Sequence, residues 1–199
     1  MTKARDIASA IPAPSTVSST ELGYLDGVTS AVQTQLDAKT PNYKLIQTTT
    51  FSAVASISLN SVFTSTYENY EIYISLFPTS TADTTTFRLR ASGTDETTNY
   101  ESGRHGFIGS VVFSGLNVTG TDDWYIGYDG TATNSCAKMT IFRPQIAAPT
   151  KFISTGVSGS MPFQTTGGTN SNSTSYDGFT LLILSGTFTG NVSVYGLAK

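Results

Sequence analysis

Alternating apolar residues, turn residues at regular intervals and a surplus of hydroxyl side chains predict an all-β protein. The expected architecture is an antiparallel jelly-roll-type β-sandwich preceded by an extended arm and two short N-terminal helices. From Tyr43 onward the apolar positions recur every second residue, the period of a half-buried strand. Ser and Thr together approach three residues in ten, and Thr favours strands while Ser, Gly and Asn supply turns. At 199 residues the chain is long enough for one main domain and an arm.

Residues 1–17 read as an extended arm. They mix small residues with Pro12 and Pro14 and show no sustained period. Residues 18–40 read as a short helical segment for association or anchoring. Ser18 stands three residues before Glu21, the spacing at which a capping hydroxyl and a returning carboxylate satisfy each other's helix-end amides. Asp26-Gly27 then supplies turn chemistry, so a second helix starts near Val28. Leu25, Val28 and Val32, with Leu22 and Leu36 alongside, form a narrow apolar seam of the coiled-coil kind. Isolated helices shorter than roughly 12–15 residues are marginal in water, so this seam needs a partner. Thr40-Pro41-Asn42 ends the segment, because the residue before a proline is pushed away from helical geometry.

The run Ser19-Thr-Glu-Leu-Gly-Tyr-Leu-Asp-Gly-Val-Thr-Ser-Ala-Val-Gln-Thr-Gln-Leu-Asp-Ala-Lys39 resembles the short helical element that recurs in bacteriophage tail-fibre and related virion proteins. Thr2-Lys-Ala-Arg-Asp6 is similar to what often leads into it. In that family the element sits beside β-rich trimeric modules. The resemblance therefore implies a virion protein and a homotrimer, and it does not by itself distinguish tail from capsid.

Residues 41–199 carry the sandwich. The first strands are expected over 43–50 and 52–59. In Tyr70–Phe77 the residues Tyr70, Ile72, Ile74 and Leu76 share one face, and in Thr86–Ala91 Phe87 and Leu89 point in while Arg88 and Arg90 point out. Further strands fit 106–113, 123–128, 136–142, 151–157, 179–184 and 191–197. The longest unpatterned connections, 94–106 and 164–178, are expected to be loops, with the polar tract Gly167–Ser175 exposed.

Charge narrows the function classes. Only 13% of residues are charged and the net charge is −3, so the basic stripe of a nucleic-acid binder is missing. No run approaches the ~20 apolar residues of a membrane span, and Met1–Ala10 has no apolar core of a signal peptide. Neither nucleic acid nor membrane insertion is expected; the expected location is the virion, assembled in the host cytoplasm.

Catalytic parts are scarce. The only histidine, His105, stands beside Arg104 and reads as a solvated loop residue, which leaves no triad or histidine-rich metal site. Cys136 is the only cysteine, so no internal disulfide can form, and at the start of a strand it reads as buried and unreactive. Glycoside cleavage would need two carboxylates flanking one bond. Asp95, Glu96 and Glu101 cluster in one loop and Asp122-Asp123 precede Trp124, but these acids read as loop-tip solvation and turn caps. Asp122, Asp123 and Asp129 are the nearest approach to a calcium set and lack EF-hand spacing. The expectation is no enzyme, no metal and no cofactor.

Aromatics carry the recognition reading, with ten Tyr and eleven Phe against one Trp. Tyr suits subunit interfaces and sugar stacking, and Tyr100 and Tyr176, in the two long connections, are the expected receptor contacts. The functional expectation is a non-enzymatic virion structural protein that partners itself, other virion proteins and a host surface glycan. A short tail fibre or fibre-like tail component leads. A capsid decoration or cement protein, bound to the major capsid protein, is the alternative, to which the small size of the chain gives weight, and a carbohydrate-binding module comes third.

Overall fold

The computed structural model describes residues 18, 20, 24, 34, 43–78, 83–108, 111–115, 118–129, 134–159 and 162–197. Backbone contacts divide the chain into Met1–Thr40 and Pro41–Lys199. In the first unit Thr20 and Thr34 have helical backbone, and the Tyr24 N–H donates to the Thr20 carbonyl at 3.2 Å. The arm over 1–17 and the seam residues Leu22, Leu25, Val28, Val32 and Leu36 lie outside the described residues.

The second unit is an antiparallel β-sandwich. Its strands are β1 (Tyr43–Val54), β2 (Ser56–Leu59), β3 (Asn69–Pro78), β4 (Asp83–Ala91), β5 (Thr94–Asp95), β6 (Tyr100–Ile108) and β7 (Val111–Ser114). They continue as β8 (Val118–Thr121), β9 (Trp124–Asp129), β10 (Ser135–Phe142), β11 (Thr150–Val157), β12 (Phe163–Asn170), β13 (Gly178–Ile183) and β14 (Phe188–Leu197). Among the described residues a 9-stranded sheet runs β1-β14-β3-β10-β11-β12-β6-β7, with β8 also on β6, and a 5-stranded sheet runs β2-β13-β4-β5, with β9 also on β4.

Eight of these strands reproduce the jelly-roll order. With β1, β2, β3, β4, β9, β10, β13 and β14 taken as first to eighth, one sheet reads first, eighth, third, sixth and the other second, seventh, fourth, fifth. The additional strands come from two excursions. β5 to β8 leave between β4 and β9, β11 and β12 leave between β10 and β13, and together β11, β12, β6 and β7 prolong the large sheet into a wing. A two-residue turn opens the first excursion: Ala91 pairs with Thr94, and Ser92 and Gly93 both hold positive φ (52° and 80°), the handedness that suits a tight hairpin.

The core forms where the inward faces meet. Tyr70, Ile72, Ile74 and Leu76 of β3, Val192 and Val194 of β14, and Phe87 and Leu89 of β4 are all buried. Phe87 lies between Phe179 (centroids 4.7 Å) and Trp124 (6.0 Å), and Trp124 continues to Phe152 (4.4 Å) and Tyr100 (5.3 Å). Each such ring contributes roughly 1.5–3 kcal/mol by leaving water. The Trp124 indole N–H donates to the Thr169 carbonyl at 3.1 Å, which satisfies its one polar atom.

Several expectations are corrected here. The connections at 94–106 and 164–178 are largely strand: β5 and the start of β6 occupy the first, and β12 occupies the second through Asn170. The expected strand over 106–113 spans the end of β6 and the start of β7. His105 is therefore on β6, not in a loop, although it is exposed. Cys136 is exposed, because the inward positions of β10 are Met139 and Ile141, and residue 136 falls outside that buried pair at the open end of the strand.

Candidate functional site: the outer face of the large sheet

The side of the nine-stranded sheet that faces away from the sandwich core collects the outward residues of its strands. On β3 these are Glu71, Tyr73, Ser75 and Phe77, alternating with the buried Ile72 and Ile74. Glu71 is the chemical centre of this part. Lys138 on β10 holds its Oε1 at 2.7 Å, the Tyr43 hydroxyl donates to the same oxygen at 3.3 Å, and the Tyr73 hydroxyl donates to Oε2 at 3.0 Å. The bond to Glu71 raises the Lys138 pKa, and desolvation followed by the bond to Glu71 raises that of Tyr73. The Lys138 Nζ also stands 5.7 Å from the Tyr73 ring centroid, and Tyr195 meets that ring edge-on at 5.6 Å.

Beside this cluster runs a groove of about 390 Å³ lined by Tyr73, Ser75, Cys136, Lys138, Val157 and Phe163, among others. It exists because Ser75 and Cys136, paired across β3 and β10, are small and lie between larger neighbours. Its far wall begins an apolar row. Gly156 pairs with Gln164, and the next residues along β11 and β12 are Val157 and Phe163. Phe163 pairs with Phe107 on β6, and Phe107 pairs with Val112 on β7. Val157, Phe163, Phe107 and Val112 are exposed by 46%, 42%, 39% and 56%, and the two Phe rings are 6.2 Å apart.

The inner side of the same strands carries Phe152 and Tyr100 against Trp124 and is otherwise polar. Ser154, Gln164, Thr166 and Ser102 are buried there, and Ser154 Oγ and Gln164 Oε1 have no hydrogen-bond partner. At this end of the wing the usual placement is inverted, with hydroxyls and an amide inside and Phe and Val outside.

Tyr100 and Tyr176, expected to touch a receptor, are instead buried, at 0% and 1% exposure. Tyr100 is on β6 with its side chain in the sandwich; its hydroxyl accepts from the Leu89 N–H at 2.8 Å and donates to the Glu96 carbonyl at 3.1 Å. Tyr176 donates to Asn170 Oδ1 at 2.8 Å. Burial pushes both phenols up, Tyr176 to about 12. They act as ties, and backbone bonds reinforce them: the segment after β12 is held by the Ser171 N–H on the Asn99 carbonyl and the Tyr176 N–H on the Pro144 carbonyl.

Most of the carboxylates weighed for acid–base or calcium chemistry are engaged locally. Asp95 takes Arg90 and accepts from Thr180 at 2.7 Å. Asp122 and Asp123 share Arg88, and burial together with the Asp122 charge raises the Asp123 pKa. Glu101 is exposed on β6, and Asp129 ends β9 opposite Asp83. Glu96 accepts from the Thr97 and Thr98 N–H groups (both 3.0 Å) and the Thr98 hydroxyl (2.7 Å); desolvation raises its pKa, but these bonds together with the Asn172 side chain outweigh it and hold the Glu96 pKa below the ordinary value. Among the described residues no three His, Cys, Asp or Glu side chains converge as a metal site.

Sequence reasoning singles out neither the exposed Tyr73 nor the apolar row. A signal for Tyr73 is present in the register of Tyr70–Phe77, which turns it outward. The row depends on pairings among four strands and has no one-dimensional signature.

No protein-family model matches the chain, and no curated protein matches it in sequence. Among solved structures it is similar to a protein of unknown function from Shewanella oneidensis MR-1, at 11% identity and TM-score 0.36, covering 94% of this chain and 97% of that one. It is also similar to a galectin of Caenorhabditis elegans, at 10% identity and TM-score 0.33, covering 77% and 95%. At these values neither likeness bears on what this chain binds.

Proposed function

We propose that the chain is a non-enzymatic structural component of a bacteriophage particle, assembled as a homotrimer, in which residues 1–40 anchor the protein and the sandwich of residues 41–199 is presented by the anchor. The observation that carries this reading is the Ser19–Lys39 run, similar to the helical element of tail-fibre and related virion proteins and followed directly by a β-rich domain. Placement in the tail as a short fibre leads. Any adsorption function falls to the exposed outer face around Tyr73 and not to Tyr100 or Tyr176, which are buried.

Capsid decoration is the second reading. The short Ser18–Lys39 segment favours it, since its seam, broken at Asp26-Gly27, is too short to form a fibre shaft and suits a compact trimer held by a neighbour. Counting copies on purified particles separates the two: a few at the tail support a fibre, and many over the head support decoration. The anchoring role is tested by adding full-length and 41–199 protein to particles that lack the protein. Retention of the full-length chain alone is expected, and equal retention of both would overturn the anchor.

A further inference from the structure

We infer that the row Val157–Phe163–Phe107–Val112 is the surface through which the sandwich meets a second copy of this chain. The inference rests on the homotrimer reading and names where its sandwiches touch.

Three observations point to a copy as the occupant. First, the pattern is inverted at this end of the wing: Ser154, Gln164, Thr166 and Ser102 are turned inward while the four apolar side chains face out. A sheet whose outer face stays in water gains nothing from that arrangement, whereas one whose outer face is covered does. Second, the row itself contains no charge, so it can meet its own image without repulsion, and it offers no hydrogen-bonding side chain to orient a sugar. It crosses four strands, about 14 Å at the usual strand spacing, and ends on β7, which has no further strand beyond it among the described residues. Edge strands of this kind are where another chain adds.

Third, the size suits tethered copies. Four side chains, each open by about half and each offering on the order of 150–200 Å² in full, expose roughly 300–400 Å². A free, stable complex covers about 800 Å² per partner. The row is thus too small to hold two free molecules, but copies joined by another segment meet at an effective concentration in the millimolar range, where a weak contact is filled. The helical seam, too short to associate alone, and the row, too small to associate alone, complete each other.

The test is sedimentation of the full-length chain over a concentration series, for wild type, for Phe107→Lys with Phe163→Lys, and for Val112→Lys as a milder variant. Circular dichroism and thermal melting of each dilute variant report whether the sandwich remains folded. All three substitutions are at exposed positions. The expected result is a wild-type trimer whose self-association the double variant weakens at least about a hundredfold, the order expected for losing two apolar side chains at each contact. A wild-type trimer that the folded variants leave unchanged would overturn this inference and leave the homotrimer standing. A wild-type monomer at all concentrations would overturn both. Unchanged sedimentation together with lost binding to particles would overturn it in favour of a different virion protein on the row.

Discussion

β3 and β11 belong to one sheet, each paired to β10, yet they fill their inner faces differently. β3 turns Tyr70, Ile72, Ile74 and Leu76 into the sandwich and Glu71, Tyr73, Ser75 and Phe77 out. β11 turns Thr150, Phe152 and Ser154 in and Lys151, Ile153, Thr155 and Val157 out. The first is a continuous apolar inner face; the second, carried on by Gln164 and Phe163 of β12, sets hydroxyls and an amide beside Phe152 on the inside and leaves Val157 and Phe163 on the outside, the side chains a covered outer face would use. The jelly-roll eight stabilise the fold, and the added wing presents a surface.

This contrast makes the two regions respond differently to the same change. Phe87→Ala removes a ring packed between Phe179 and Trp124 and should cost about 3–5 kcal/mol in urea denaturation. Phe163→Ala in dilute, dissociated protein should cost no more than about 1–2 kcal/mol, because its ring is 42% exposed and only partly covered. Equal losses would erase the distinction.

Gly168→Ala comes next. A Cβ there would collide with the Glu101 carbonyl oxygen and stand 2.8 Å from the Phe152 ring. Forcing β12 away from β6 should cost about 1–3 kcal/mol, read as a lowered urea midpoint, and a neutral result would mean that the wing is loosely paired.

A smaller effect sharpens the account of the inner face. Ser154 Oγ is buried without a partner, so Ser154→Ala should be neutral or stabilising by up to about 1 kcal/mol. A loss of more than about 1 kcal/mol would mean that the hydroxyl is satisfied and the inner face of the wing well paired.

The smallest effects are in pH dependence, and two carboxylates should act in opposite directions. Asp123 has a raised folded pKa, so the folded state binds its proton more tightly than the unfolded one. Stability then rises as pH falls from neutrality through that raised value to the ordinary carboxylate range, and Asp123→Asn should remove this rise. Glu96 has a lowered folded pKa, so its contribution is present above the ordinary Glu value and lost as pH falls through the folded one; Glu96→Gln should flatten that acid limb. Melting curves over a pH series read both.

Much of the jelly-roll eight is legible in one dimension because burial there follows the strand period. Tyr70, Ile72, Ile74 and Leu76, or Phe87 and Leu89 between Arg88 and Arg90, announce strand, face and direction at once. The wing is not legible by that rule. Gln164-Thr-Thr-Gly-Gly-Thr-Asn170 reads as a polar loop because its residues are Gln, Thr, Gly and Asn on both faces, and Glu101-Ser-Gly-Arg-His105 reads likewise. Tyr100 and Tyr176 read as solvent-facing for the same reason: their neighbours are polar, whereas their own side chains fill the sandwich and bond to Glu96 and Asn170. The Glu71 cluster draws Tyr43, Tyr73 and Lys138 from three strands, which only the pairing of β3 with β10 and the return of β1 bring together.

The central claim, that the chain is a trimeric virion component, is tested most directly by a reconstruction of a phage particle assembled with it. The account predicts three copies whose sandwiches meet along β7 with Val157, Phe163, Phe107 and Val112 covered, and with residues 1–40 seated on a neighbouring virion protein. A single sandwich on the particle, with that row open to solvent and residues 1–40 touching nothing, would contradict it.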